Sequence, residues 1–198
     1  MLKEKEILFF GPDENTADLM DVGALLARTR GYKYWKAMTT GKSVRLGGIP
    51  HDTYGMTTNS VHQVVLGLLE KEKLKEEEVT KVMTGGPDGD LGSNEILISK
   101  DKTVCIIDGS GVVFDPNGLN REELTRLARG RLTISHFSRS FLSKDGFMVP
   151  ITEEGQITYQ SYTWRTATTL RDTFILCPLC KADLFVPCGG RPATINMG

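Results

Sequence analysis

The feature that most constrains this chain is a glycine-rich turn, Gly-Gly-Pro-Asp-Gly-Asp-Leu-Gly, over residues 85–92. The apolar segment 79–84 before it favours a strand, and residues 93–99 after it favour a helix. Glycine lets the backbone approach a phosphate closely, and the N–H groups at a helix N-terminus then face the anion. The turn therefore predicts a dinucleotide pyrophosphate site or, without a ligand, a glycine-rich helix cap. The residues expected to contact a cofactor here are Gly86, Gly89, Asp90, Leu91 and Gly92.

An acidic residue stands where such a site needs one. Asp108 ends the next predicted strand, 103–108, and follows Gly89 by 19 residues. An acid about 20 residues beyond the glycines hydrogen-bonds the adenosine ribose of NAD, whereas the extra phosphate of NADP is repelled by a carboxylate. Asp108 therefore predicts NAD as the cofactor.

The turn departs from the usual Gly-x-Gly-x-x-Gly pattern at its first position. Pro87 stands there, and we expect Gly85 and Gly86 to make the tight turn instead. Asp88 and Asp90 bring negative charge to a place where phosphates are expected. Their side chains must therefore point away from the phosphates or contact the ribose.

Short apolar segments alternate with amphipathic ones along the whole chain, which is the pattern of a largely parallel sheet covered by helices. Strands are predicted at about 7–10, 79–84, 103–108, 147–149 and 184–186, and helices at about 15–30, 58–71, 93–99, 120–130 and 164–174. A long loop rich in Gly, Thr and Pro is predicted between, at 33–54. We expect an α/β fold, Rossmann-like and doubly wound, with a mostly parallel sheet and helices on both faces.

Composition excludes several classes of function. The 198 residues carry a formal net charge of −1, which gives no reason to expect nucleic acid or an anionic membrane as a partner. No apolar stretch approaches the roughly 20 residues that span a bilayer, and the charged N-terminal residues 1–6 lack the apolar run of a secretory signal. Four cysteines do not make a disulfide scaffold in a chain of this length, so a reducing compartment is expected.

The motif Cys177-Pro-Leu-Cys180 invites a metal or redox interpretation. A structural zinc site usually needs four ligands, and no second paired spacing of cysteine or histidine occurs in the chain. We therefore expect no metal. The simpler interpretation is that these cysteines are small, buried residues near a strand.

Several segments, in order, resemble the amino-acid dehydrogenases, and above all the NAD-dependent glutamate dehydrogenases of the large-subunit type. They are Gly-Pro-Asp-Glu-Asn-Thr at 11–16, Thr-Gly-Lys at 40–42 with Gly-Gly at 47–48 and Met-Thr at 56–57, the glycine turn, Ile-Asp-Gly-Ser-Gly at 107–111 and Asp-Pro-Asn-Gly-Leu at 115–119. The turn extended to Ser-Asn-Glu at 93–95, and Ala-Asp-Leu-Phe-Val-Pro-Cys-Gly-Gly-Arg-Pro at 182–192, are most similar to the large-subunit enzymes.

The resemblance implies oxidative deamination of L-glutamate to 2-oxoglutarate and ammonia, with hydride transfer to NAD. It implies that Asp13 is the proton-transfer carboxylate, although the same residues also make a good turn before a helix. It implies that Thr57 hydrogen-bonds the carboxamide, or else serves as a helix N-cap, and that Ser110 lies near the adenine or serves in a turn. Lys42 either lines the cleft or is an exposed loop residue.

The resemblance also implies a division of the chain. Residues 1–35 are expected at the hinge and edge of the catalytic domain, and 36–198 in the NAD-binding domain. No Lys-Gly-Gly segment occurs here, although the family carries its substrate lysine in one. We therefore expect this chain to be part of a longer enzyme and to be inactive on its own. The resemblance implies that the full-length enzyme is a cytoplasmic or mitochondrial homo-oligomer. Two alternatives stay open: a module that binds NAD without catalysis, and a dehydrogenase for another amino acid, such as leucine or phenylalanine.

Overall fold

The computed structural model describes residues 7–13 and 16–189. By its internal contacts the chain divides into two compact units, Met1–Thr57 and Thr58–Gly198, and each is described by itself. The expected division after residue 35 concerns membership of a substrate domain, and it stays a prediction.

The helices are α1 (Ala17–Thr29), α2 (Met56–Glu72), α3 (Asp90–Ile98), α4 (Arg121–Gly130) and α5 (Ala167–Thr173). The strands are β1 (Thr80–Thr84), β2 (Lys102–Asp108), β3 (Gly111–Phe114), β4 (Phe147–Pro150), β5 (Ile157–Tyr159), β6 (Tyr162–Trp164) and β7 (Leu184–Pro187). Short 3₁₀ turns lie at Val44–Leu46, Glu76–Glu78, Ile134–His136, Arg139–Phe141 and Phe174–Leu176.

The first unit contains α1 followed by the predicted long loop. Helix α1 buries Met20 and Ala24, and it lies within the predicted range 15–30. The predicted strand at 7–10 is wrong: residues 7–9 are exposed and outside any ladder, and Phe10 alone makes a parallel bridge, to Thr39. A single bridge forms because the apolar run meets a loop here, with the Phe10 N–H donating to the Met38 carbonyl at 2.9 Å.

The second unit is built on a five-stranded mixed sheet in the order β4-β3-β2-β1-β7. Strand β1 pairs in parallel with β2 and with β7. The pairs β2–β3 and β3–β4 are antiparallel. Strands β5 and β6 form a separate hairpin.

The sheet is covered on both faces, which explains why β2 is buried from Thr103 to Asp108. Successive residues of a strand point to opposite faces. Met83 and Ile106 accordingly belong to a core cluster with residues of α2, α3 and α4. Val82 and Ile107 belong to a second cluster, with residues of α5 and the β5–β6 hairpin. The Rossmann-like α/β class, with helices on both faces, is thus confirmed.

Three strands were not predicted from the sequence. Only two residues separate β2 from β3, which permits a hairpin but no crossover helix, so this pair is antiparallel. Together with the antiparallel pair β3–β4, two of the four pairings in the sheet are antiparallel. Strands β5 and β6 were hidden in a region without clear periodicity. Because Trp164 belongs to β6, α5 begins later than the predicted residue 164.

Within the described residues, 7–13 and 16–189, no helix has both the length and the hydropathy needed to cross a membrane.

Candidate functional site

The carboxyl ends of the three parallel strands meet at one edge of the sheet. There the N–H of Gly85 donates to the carbonyl of Ile107 at 2.8 Å. The N–H of Cys188 donates to the carbonyl of Thr84 at 2.6 Å. The segments that leave β1 and β7 are thus bonded to neighbouring strand ends, at the edge where open α/β sheets bind ligands.

The glycines of the turn are needed for close approach of backbone to backbone. Gly85 has a φ of 86°, and a side chain there would overlap the backbone of Cys188 and Gly189. A side chain on Gly92 would overlap the carbonyl oxygen of Gly86. Gly92 therefore lets the first turn of α3 lie directly against the loop, the role of the third glycine in a dinucleotide fingerprint.

Helix α3 begins without a side-chain hydrogen bond from its N-cap residue. Its N-cap is Gly89, in an extended conformation with φ −82° and ψ 155°. Glycine has no side chain to accept a hydrogen bond from the first N–H groups of the helix, so these donors remain for an anion. The predicted helix began at residue 93, whereas α3 begins at Asp90, inside the turn.

Asp108, the last residue of β2, lies against the turn. Its carboxylate is buried and would overlap a side chain placed on Gly86. Oδ1 accepts hydrogen bonds from the backbone N–H of Ser110 at 2.7 Å and from the Ser110 hydroxyl at 2.6 Å. Oδ2 accepts one, from the N–H of Ile134 at 2.9 Å. A carboxylate has about four acceptor positions, so Oδ2 keeps capacity for a further donor such as a hydroxyl.

Ser110 makes a turn contact of the kind anticipated for it. Its hydroxyl donates to Asp108 and accepts from the N–H of Ser135 at 3.1 Å. Ser110 therefore ties the β2–β3 hairpin to the Ile134–His136 turn and fixes the orientation of the Asp108 carboxylate. A contact to adenine remains a prediction.

The two acids of the turn have different surroundings. Burial raises the pKa of Asp88, and the nearby negative charge of Asp108 raises it further. Asp90 is the first residue of α3, and its Oδ1 accepts a hydrogen bond from Nη1 of Arg131 at 2.8 Å. The carboxylate of Asp90 is thus held by a cation from outside the turn, a contact that the sequence did not reveal.

A buried network of charges attaches α3 to the sheet. The ammonium of Lys81 is fully buried and lies 2.9 Å from Oε1 of Glu95 and 2.6 Å from Oδ2 of Asp101. It also donates to the hydroxyl of Ser99 at 2.8 Å. The network links β1 to α3 and to the start of β2, and so fixes the helix whose N-terminus faces the site. Sequence reasoning missed it, although a lysine and a glutamate inside apolar segments were a visible signal.

Thr58 gives a second support to the same helix. The residue is buried, and its hydroxyl donates to the carbonyl of Leu91 in the first turn of α3 at 3.2 Å. Thr57, which was singled out instead, is exposed in the first turn of α2. Because α2 already begins at Met56, Thr57 is not its N-cap, and that alternative is wrong. The contact of Thr57 with a carboxamide stays a prediction.

Two other predicted site residues lie in the first unit. Asp13 is exposed, and its backbone makes a turn with Thr16, the residue before α1. Its catalytic role stays a prediction. The interpretation of Lys42 as an exposed loop residue is wrong: Lys42 is buried, with its ammonium bound to the carbonyl of Thr39. A place in the cleft stays a prediction.

The four cysteines are free thiols. Burial raises the pKa of Cys105, and a hydrogen bond with Cys180 raises it further. The same hydrogen bond lowers the pKa of Cys180. Burial raises the pKa of Cys188 to about 12. Cys177 and Cys180 pack against the second core cluster but are only partly buried and follow the Phe174–Leu176 turn, so their interpretation as buried residues near a strand is wrong. Within the part of the chain that the structure describes, no three histidine, cysteine or acidic side chains gather as a metal site.

A mixed sheet with a glycine turn, an uncapped helix N-terminus and an acid at the end of the next strand defines a Rossmann-like α/β domain. The model of the glutamate/leucine/phenylalanine/valine dehydrogenase family matches residues 47–198, and the chain belongs to this family.

Curated relatives match almost the whole chain. It is 55% identical to glutamate dehydrogenase 2 of Dictyostelium discoideum, over 97% of this chain and 18% of that protein. It is 50% identical to the NAD-specific glutamate dehydrogenase of Neurospora crassa, over 98% of this chain and 18% of that protein. For the NAD-specific glutamate dehydrogenase of Saccharomyces cerevisiae the identity is 47%, over 100% and 18%. The chain therefore spans less than a fifth of the length of these relatives.

Solved structures agree on the fold. A glutamate dehydrogenase superimposes with a TM-score of 0.52 at 18% identity, over 84% of this chain and 32% of that one. A lysine-to-leucine mutant of glutamate dehydrogenase gives 0.54 at 19% identity, over 71% and 32%. At this identity the likeness concerns the fold alone.

Proposed function

We propose that this chain is the NAD-binding part of a glutamate dehydrogenase, which oxidises L-glutamate to 2-oxoglutarate and ammonia. The observation that carries the proposal is the placement of Asp108 against Gly86, beside the uncapped start of α3. One edge of the sheet thus offers donors for a pyrophosphate and an acceptor for a ribose. Relatives of 47% identity or more are named glutamate dehydrogenases, which favours glutamate over the family's other substrates.

The pyrophosphate is assigned to the turn. The first turn of α3, which begins at Asp90, brings N–H groups towards it, and the dipole of the helix favours its negative charge. Gly86 and Gly89 contribute by close backbone approach, since the N–H of Gly89 already donates to the carbonyl of Gly86 at 3.2 Å. Leu91 and Gly92 continue the same surface, with Gly92 keeping the helix close to the loop. The expected result is a phosphate contact made mainly by the backbone.

The ribose is assigned to Asp108. Its carboxylate is fixed by Ser110 and Ile134, so that little freedom is lost when a ribose hydroxyl donates to Oδ2. A 2′-phosphate would instead meet a buried negative charge, with Asp88 adding to it. This arrangement favours NAD over NADP.

NAD held by Asp108 and the glycine turn would supply the hydride acceptor for the α-carbon of glutamate, and hydrolysis of the resulting imine by water would give 2-oxoglutarate and ammonia. We assign proton transfer to Asp13 and a carboxamide contact to Thr57, both on the strength of the family resemblance. We place the full-length enzyme in the cytoplasm or mitochondria, as a homo-oligomer, on the same ground.

Calorimetric titration of the 198-residue chain with NAD and, separately, NADP tests the cofactor proposal. We expect binding of NAD and a much weaker response to NADP. Asp108→Ala should lose roughly 1.5–3 kcal/mol of NAD binding free energy, the cost of a missing hydrogen bond to a charged group. Absence of NAD binding by a folded chain would refute the proposal, and an unchanged affinity in the variant would refute the role of Asp108.

Activity gives a separate test. The chain contains no Lys-Gly-Gly segment, so we expect no glutamate-dependent reduction of NAD by the chain alone. In the full-length enzyme, Asp13→Asn should lower kcat by a factor of about 100 or more, the contribution typical of a general acid or base. A rate close to that of the unaltered enzyme would remove Asp13 from the mechanism.

A further inference from the structure

Three carboxylates surround a turn that we assign to a pyrophosphate. Asp108 Oδ2 and Asp88 Oδ1 both border the Cα of Gly86; the second lies 2.8 Å from the position that a Cβ would take there. Asp90 follows two residues later, as the first residue of α3. Negative side chains at a helix N-terminus are favourable by themselves, but beside a bound phosphate they repel it. The site therefore needs a compensating positive charge.

Arg131 lies where that charge is needed. Its Nη1 is 2.8 Å from Oδ1 of Asp90, and the side chains are 32% and 39% exposed, respectively, so solvent still reaches the pair. The positive charge of Arg131 also acts on Asp88, where it opposes the effects of burial and of Asp108. A single arginine thus touches one acid of the turn and influences another.

The backbone holds Arg131 in this place at a cost. Helix α4 ends at Gly130, and Arg131 follows in the left-handed conformation, with φ 50° and ψ 44°. Its N–H donates to Ala128, and the N–H of Leu132 donates to Leu127 at 3.0 Å, as in the usual termination of a helix. Glycine or asparagine normally occupies this position, since other side chains are strained there by about 1 kcal/mol. An asparagine here would avoid the strain but would lack the positive charge of the arginine.

We infer that Arg131 is a positioning residue for the dinucleotide pyrophosphate, which holds the Asp90 carboxylate to one side and offsets its charge at the start of α3. The inference rests on the proposed function, because it assigns the pyrophosphate to this turn. It also explains how a turn with acids at positions 88 and 90 accepts an anionic ligand. The role belongs to the arginine and the acid together, so removal of both should be tolerated better than removal of the arginine alone.

The test uses two ligands and four forms of the chain. NAD carries the pyrophosphate, whereas adenosine carries only the base and ribose. Arg131→Asn removes the charge but suits the left-handed backbone, Arg131→Lys keeps the charge, and Asp90→Asn is combined with Arg131→Asn in a double variant. Affinities are measured by calorimetry at low ionic strength, after urea unfolding has verified that each form is folded.

We expect Arg131→Asn to weaken NAD binding about tenfold, the equivalent of roughly 1.4 kcal/mol, and to leave adenosine binding within twofold. Arg131→Lys should retain most of the affinity, and the double variant should return to within about threefold of the original chain. Equal losses for NAD and adenosine, or no recovery in the double variant, would show that Arg131 only terminates α4. If the unaltered chain binds neither ligand, the proposed function fails and this inference with it; if it binds NAD and Arg131→Asn does so equally well, the inference alone fails.

Discussion

The carbonyl oxygen of Gly86 occupies the space in which a side chain of Gly92 would stand. The loop and the first turn of α3 are therefore in direct backbone contact, and the N-terminus of the helix is set by that contact. Backbone atoms cannot move aside as the end of a flexible side chain can.

Gly92→Ala should consequently damage the site. We expect a loss of about 1–3 kcal/mol in the free energy of unfolding, as for other overpacked positions, and NAD affinity reduced more than tenfold. Gly67→Ala is the matched control: Gly67 lies on the exposed side of α2 with open space around it, so alanine should stabilise the helix by about 0.5–1 kcal/mol without changing NAD affinity. Urea denaturation and calorimetry measure both effects; equal behaviour of the two variants would contradict this view of the turn.

The buried network around Lys81 predicts that removal of its cation lowers the free energy of unfolding substantially. Lys81→Met leaves the buried carboxylates of Glu95 and Asp101 without the cation between them, and breaking such a pair costs about 3–5 kcal/mol. Lys75→Met is the control, because Lys75 pairs with Glu78 at 3.1 Å on the surface, where pairs contribute about 0–1 kcal/mol. Chemical denaturation compares the two; a cost for Lys81→Met as small as that for Lys75→Met would mean that the network carries little of the stability.

The raised pKa of Cys188 predicts that the free energy of unfolding falls at alkaline pH. Its pKa is raised to about 12 in the folded chain, against 9.0 for an ordinary thiol. Between these values the unfolded chain releases the proton and the folded chain keeps it, so the free energy of unfolding falls as pH rises, by up to about 1.4 kcal/mol per pH unit. Below pH 9 both states hold the proton and the group has no effect.

The comparison is with Cys188→Ala, measured by urea denaturation from pH 7 to pH 10.5. The variant should be less stable at pH 7, since it leaves a small cavity, but its stability should fall less steeply above pH 9. Parallel curves for the two chains would show that Cys188 ionises equally easily in the folded and unfolded states.

Substitution of Asp88 should have the opposite effect on stability and raise the unfolding temperature of the chain. The raised pKa means that the folded chain binds the proton of this carboxyl more tightly than the unfolded chain does. Its effect on stability is therefore most favourable below pH 3.8, and it is lost as pH rises through the raised pKa. Asp88→Asn removes the charge, so the variant should unfold at a higher temperature than the original chain at pH 7, with the difference shrinking towards pH 3. Asp145→Asn, at an exposed position, serves as the control. A lower melting temperature for Asp88→Asn at pH 7 would contradict the prediction.

Most of the second unit was predictable because its strands and helices carry simple periodic patterns. The run 103–108 and the turn 85–92 located β2 and the start of α3 to within a few residues. The pattern does not predict the hairpin β2–β3, because Gly111–Phe114 is a short apolar run that directly follows another strand and is too short to indicate a separate one.

The candidate site was predictable in its glycines and in Asp108, since these obey local rules of spacing. Arg131 was not: it acts on Asp90 across 41 positions of the chain, through the way in which α4 ends. Lys81 and Glu95 stand inside apolar segments, which is a signal, but hydropathy patterns assign charged residues to the surface and so do not predict their contact. Contacts that depend on tertiary packing leave no periodic signal in a single sequence.

The β2–β3 hairpin also bears on the order in which the chain folds. Asp108 pairs with Gly111, three residues away, whereas β1 pairs with β7 across about a hundred residues, as Lys81 does with Leu184. Short loops close faster than long ones, and pairings between distant residues slow the search. We expect the turn that follows Asp108 to form early and the β7 edge to join last. On a ribosome, residue 108 would then be in its native turn well before the strand that completes the sheet has been synthesised.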